Sequence, residues 1–284
     1  MRNALSYKSF VALRQASTWV ILGAAFLYAV ATGVSFAVLL GNTDFAVSYR
    51  ELMMQSSSAL PTFGYGMNFS ELMEIVQTEV SVQSFADFFD QCLYGRDIAI
   101  YLALFILFNM NRERRAGLQV SFGSAISRKE DFFANWMMVF VYSVALIAVM
   151  FLGFGLMYLV GFSGLPFDLS GAFPLSALLK VLVLTTFGLT VLVTLELLSG
   201  ARSAMFLSIL YVLFLSEILY SLLDSLFQSM KLGFIAEFFL PLGAFSVIRS
   251  NDPATFIVGV AASAIFSAGM VLLEFYVVPK RDRA

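Results

Sequence analysis

The chain has 284 residues, of which 60% are hydrophobic and only 13% charged, with a mean hydropathy of +0.87 and a formal net charge of −2. A soluble domain carries about 25% charged residues, so an ordinary globular protein is excluded, and a pI of 5.2 gives no support to a nucleic-acid partner. His is absent and Cys92 is the single cysteine. An intrachain disulfide is therefore excluded, and a zinc or haem site has almost no ligands to draw on.

Several apolar runs approach the roughly 20 residues that cross a bilayer as a helix. The fold class expected is all-α: one polytopic transmembrane domain over residues 1–284, with six transmembrane helices and both termini cytoplasmic. The 31 Phe residues are spread through every apolar run, which suits lipid-facing and helix-packing surfaces better than a cofactor box.

Residues 1–16 combine Arg2, Lys8 and Arg14 with Leu5, Phe10, Val11 and Leu13, a modestly amphipathic pattern. It fits an interfacial helix along the inner leaflet or an ordinary basic flank, and either places it in the cytoplasm. The first span, about 17–40, is free of charge. Ala29-Val30-Ala31 resembles a signal-peptidase site, but the apolar run continues well beyond the roughly 7–15 residues of a signal core. An uncleaved anchor is expected.

Residues 41–91 are read as an outer loop. Between Gly41 and Gly95 stand Asp44, Glu51, Glu71, Glu74, Glu79, Asp87 and Asp90 against the single base Arg50, an asymmetry that belongs on the outer side. Asn68 with Glu71 reads as a helix cap, and Val82, Phe85, Ala86, Phe89 and Leu93 recur at helical spacing. One or two outer amphipathic helices are predicted.

The second span is expected at about 92–110. Its uncharged part, Ile98–Met110, rises only about 20 Å, so the helix must start earlier and carry Arg96 and Asp97 in the outer leaflet. Residues 111–131 then form a polar loop with five bases: Arg112, Arg114, Arg115, Arg128 and Lys129. Spans follow at about 132–161, 175–199, 204–223 and 254–278. The run Gly233–Ile248, interrupted by Glu237, Pro241 and Gly243, makes a poor crossing, so 224–253 is read as an outer re-entrant or hairpin segment. This topology puts twelve bases inside and five outside, in keeping with the positive-inside bias.

No phosphate-cradling Gly-x-x-x-x-Gly-Lys-Ser/Thr segment occurs, so the chain is not expected to be an ATPase or other enzyme. The loop reads Arg112-Glu113-Arg114-Arg115-Ala116-Gly117, then Ser127-Arg128-Lys129-Glu130-Asp131-Phe132 into the next span. With the basic start, first span and large outer loop before it, this arrangement resembles the permease subunit of a type-2 ATP-binding-cassette (ABC) exporter. Leu118 stands where that family often has Thr. The resemblance implies a separate ABC ATPase subunit that binds ATP and Mg and docks on the loop and the N-terminal helix. It further implies pairing with a second copy or a related permease, no cofactor in this chain, and a multi-pass place in the cell membrane, expected to be a bacterial plasma membrane. Arg112, Glu113, Arg114, Arg115, Gly117, Ser127, Arg128 and Lys129 would then carry the coupling.

Ionisable groups inside spans are functional candidates by default. Arg96, Asp97 and Glu217 could line a path, or Glu217 could pair with Arg96 or Lys180 to fix helix packing. Two other classes of function remain open. One is an ion-coupled secondary transporter using Asp97, Glu196, Glu217 and Glu274, although the chain has no evident internal repeat of the kind many such proteins are built from. The other is a non-transporting immunity or sensory component. The cargo is not legible: apolar, Phe-rich spans suit a hydrophobic or amphipathic substrate and plain lipid contact equally.

Overall fold

The computed structural model describes residues 2–41, 82–93, 95–110, 128–162, 164–169, 173–197 and 267–277, with isolated positions at 44, 47–48, 51, 261 and 264–265. Among these the regular structure is helical and no strand occurs. In chain order the elements are α1 (Arg2–Arg14), α2 (Ala16–Leu40), α3 (Phe85–Cys92), α4 (Gly95–Phe105), α5 (Arg128–Gly161) and α6 (Phe173–Leu197). Two π-helical turns join them: Ile106–Met110, which prolongs α4, and Leu273–Val277.

Three helices have the length and apolarity to cross a membrane: Ala16–Val38, Glu130–Gly161 and Phe173–Val193. A fourth is added if Phe85–Cys92 and Asp97–Asn109 are counted as one broken span. These observations define an α-helical membrane protein. The expected fifth span, the re-entrant segment 224–253, Asn68 with Glu71, and the first part of the sixth span (254–260) lie outside the described residues.

At 34 residues α5 is about 51 Å long, well beyond the roughly 30 Å hydrocarbon core. It starts at Arg128, so the last four residues of the expected loop 111–131 are helical. Glu130 and Asp131 in its first turn suit the positive end of the helix dipole.

The chain divides into two compact units. The first comprises Met1–Ala25, Tyr94–Ala148 and Ala172–Ala284. Here α6 packs on α4 and on both π-helical turns. A Cβ on Gly188 would lie 2.9 Å from Leu102 and would also collide with Val139, so only glycine permits that approach. The hydroxyls of α6 bond back to their own helix, as in Thr185 to Val181 O at 2.7 Å and Thr186 to Leu182 O at 3.0 Å, which satisfies them in apolar surroundings. Thr186 and Ser267 also share a hydrogen bond of 3.1 Å.

The second unit comprises Phe26–Leu93 and Val149–Gly171. Within it α2 and α5 run parallel in close contact. A Cβ on Gly153 would lie 2.6 Å from the Ala29 Cβ, one on Gly33 would lie 2.8 Å from the Met157 Cβ, and Gly161 is equally tight against Ala37. Small residues at every fourth position are what let membrane helices approach backbone to backbone.

Helix α3 closes this unit. Its cap is reciprocal: Asp87 N donates to Ser84 Oγ at 3.3 Å, and Asp87 Oδ2 accepts from Ser84 Oγ at 3.1 Å and from Gln83 N at 3.3 Å. The buried side chains Phe85, Phe88, Phe89 and Cys92 occupy one face. Phe85 stacks on Phe167 at 4.4 Å and meets Phe151 and Tyr158 edge-on at 5.2 and 5.4 Å. The Pro166 carbonyl accepts from both Phe85 N at 3.3 Å and Tyr158 OH at 3.1 Å, which ties α3 to the turn after α5. Gly164, at φ +87°, makes that turn.

Candidate functional site

One group of polar side chains in the first unit gathers where α1 meets α2. Helix α1 ends at Arg14, Gln15 interrupts it, and α2 begins at Ala16. Trp19 Nε1 donates to the carbonyl of Leu13 at 2.8 Å and so satisfies one of the acceptors left at the end of α1. The outer face of this elbow is apolar, with Phe10, Leu13, Trp19 and Val20 all exposed. The Arg14 guanidinium lies 4.1 Å from the centre of the Phe10 ring.

Its inner face is polar. Lys8 is buried, and its ammonium lies 2.7 Å from Asp131 Oδ1 in the first turn of α5. The same ammonium donates to Asn135 Oδ1, while Asn135 Nδ2 donates to Asp131 Oδ2 at 3.4 Å. One turn further along, Ser9 Oγ contacts Met138 Sδ at 3.3 Å. A cation taken out of water needs a close anion and further acceptors to offset its desolvation, and this group supplies both.

A second set of bonds reaches the π-helical turn of α4. Asn109 is buried; its Oδ1 accepts from Ser17 Oγ at 2.6 Å, and its Nδ2 donates to Thr18 Oγ1 at 3.1 Å. Tyr142 stacks on Phe105 with ring centres 3.6 Å apart, and its OH donates to Thr18 O at 3.5 Å. Between the two sets lies a cavity of about 10 Å³, lined by Lys8, Gln15, Phe105, Asn109, Asn135 and Met138 among others. The elbow therefore binds one residue two positions before the segment 111–127 and another four positions after it. Both stems of that segment are held by the same eleven-residue stretch of chain, Lys8–Thr18.

Of the residues singled out from the sequence, Arg112, Glu113, Arg114, Arg115, Gly117, Ser127 and Glu217 lie outside the described residues. Arg128 and Lys129 open α5, in the same turn as Asp131 and about two turns ahead of Asn135. Arg96 and Asp97 lie in the first turn of α4, and Asp97 is half-buried and engaged. From Asp97 to Asn109 is about 18 Å along the helix, so Asp97 is not part of the polar group at the elbow. Lys180 is 2% exposed within α6 and is likewise engaged rather than free. Glu196 lies on α6 and Glu274 on the second π-helical turn. Among the described residues no group of three or more metal-ligating side chains occurs.

Sequence reasoning read Lys8 only as a basic charge of the N-terminal segment and passed over Ser17, Thr18, Asn109 and Asn135. The available signal was the pair of asparagines, each placed just inside an apolar run on either side of the basic loop. Compared with known proteins, the chain matches no family model, no curated protein and no solved structure.

Proposed function

We propose that the chain is the permease subunit of an ATP-driven ABC exporter of the type-2 kind. In this reading six spans with cytoplasmic ends form half of a translocation path, completed by a second copy or a related permease in the cell membrane. A separate ATPase subunit binds ATP and Mg and docks on residues 111–131, with Arg112, Glu113, Arg114, Arg115, Gly117, Ser127, Arg128 and Lys129 at the contact. Arg96, Asp97 and Glu217 lie toward the outer side as path or packing charges.

One observation carries the reading: the N-terminal elbow is bonded to both stems of the basic segment, through Asn109 before it and Asp131 with Asn135 after it. A loop that only marks the inner face of a membrane protein needs positive charge and no buried anchorage of its stems. A loop that receives force needs stems fixed to the spans that must move. Here the elbow leads directly into α2, and α5 is the longest described helix, so displacement of the loop would reach two spans at once.

The test is co-purification of the tagged chain from detergent-solubilised membranes, wild type beside Arg114→Glu/Arg128→Glu. The expected result is a nucleotide-binding subunit whose association or ATPase coupling is lost in the charge-reversed protein. If the wild-type chain brings down no ATPase under conditions that preserve known complexes, the reading fails. Gradient-driven transport through the intramembrane carboxylates then becomes the reading to examine.

A further inference from the structure

The π-helical turn Ile106–Met110 stands at the end of α4, immediately before the segment 111–127. Such turns hold one more residue per turn than an α-helix accommodates and recur at functional positions. Relaxation to α-helical register would rotate everything after the turn by about 100° and shift it by about 1.5 Å. Upstream, α4 is fixed by the stack of Phe105 on Tyr142. Any register change is therefore confined to residues 106–110 and the stem leading into 111–127.

Asn109, within this turn, is held by Ser17 and Thr18 at 2.6 and 3.1 Å. Three positions earlier on the elbow, the side-chain carbonyl of Gln15 is buried and has no hydrogen-bond partner among the described residues. Gln15 and Thr18 are one turn apart, since Thr18 N donates to Gln15 O at 3.2 Å, and so they share a face. The Gln15 and Asn109 side chains line the same small cavity. A buried acceptor without a donor is destabilising; one placed a single turn from an occupied acceptor, on the cavity that the donor residue also lines, has a use in a second arrangement.

We propose that Ile106–Met110 is a two-position latch, in which the Asn109 amide exchanges between Ser17/Thr18 and Gln15 as the turn changes register. Packed elements commonly switch by moving one turn past a neighbour. The latch sets the position of the stem entering 111–127; its part in transport rests on the permease reading, whereas the latch itself does not.

Hydrogen–deuterium exchange of the full chain in nanodiscs tests it, together with thermal unfolding. Gln15→Met removes the second position and the unsatisfied acceptor. Exchange at residues 106–110 should slow several-fold and the melting temperature should rise. Thr18→Val weakens the first position, and its exchange profile over 106–110 should differ from that of Gln15→Met. An unchanged exchange rate in Gln15→Met, a lowered melting temperature in that variant, or identical profiles in the two variants would each overturn the latch. None of these readouts involves an ATPase, so a failed co-purification and a failed latch are separate results.

Discussion

The Lys8 ammonium and Asp131 Oδ1 stand 2.7 Å apart, joining the first helix of the chain to the first turn of its longest described helix. The pair is sequestered on the lysine side, where the side chain is 9% exposed, and more open on the aspartate side, at 30%. An exposed pair contributes about 0–1 kcal/mol. A pair with one buried member loses more when that member's partners are stranded.

Lys8→Met is accordingly expected to destabilise the protein by about 1–3 kcal/mol, because Asn135 and Asp131 lose their shared donor. The swap Lys8→Asp/Asp131→Lys should recover part of this loss. Thermal unfolding of the two single variants and the double variant in one detergent measures the coupling. Strict additivity of the single effects would mean that the bridge contributes nothing.

The crossing of α2 and α5 makes a sharper prediction. Gly153→Val must displace Ala29, whose Cβ lies 2.6 Å from the position the new Cβ would take, and Phe26 O at 3.3 Å leaves the backbone no room. Overpacking of this kind costs about 1–3 kcal/mol. Gly23 is the control, since nothing among the described residues lies within 4 Å of a Cβ placed there. Gly23→Val should therefore leave the melting temperature near that of wild type while Gly153→Val lowers it. Equal effects would place the contact elsewhere.

Phe85 is completely buried and, among the described residues, touches the aromatic rings of Phe89, Phe151, Tyr158 and Phe167. Phe85→Ala should cost about 3–5 kcal/mol, and Phe85→Leu distinctly less. If the two variants melt together, the rings are not packed as described.

Cys92 is fully buried on the inner face of α3. A membrane-permeant maleimide is therefore expected to leave the folded wild-type protein unlabelled and to label it stoichiometrically after denaturation. Rapid labelling of the folded protein would show that α3 opens away from the Phe cluster. Because Cys92 is the single cysteine, the readout has no background.

The spans at α2, α5 and α6 were legible because twenty or more apolar residues in succession have no soluble alternative. The helical spacing of Phe85 and Phe89 was legible for the same kind of reason: burial of one face leaves a period in the sequence. Lys8 was not. A positive-inside count treats every lysine near a span as a solvated marker, and only the three-dimensional placement of Asp131 and Asn135 turns this one inward. The series Ala29, Gly33, Ala37 was also silent, since small residues barely alter hydropathy and their role depends on the helix that faces them. Ala29 drew notice only as part of a triplet resembling a cleavage site; it is fully buried in the middle of an unbroken helix. The coupling residues proposed between 111 and 127 lie outside the described residues.

The pairing of Ala29 with Gly153, Gly33 with Met157 and Ala37 with Gly161 has a consequence for parity. Both numbers rise together, so α2 and α5 point the same way, and two helices that traverse a bilayer in the same sense must begin in the same compartment. The chain between them has to make an odd number of return passages. An even number, or none, is incompatible with their side-by-side contact. Sidedness of Ser17 and of Asp131 is thereby linked without any appeal to charge: a reporter that locates one of them locates the other.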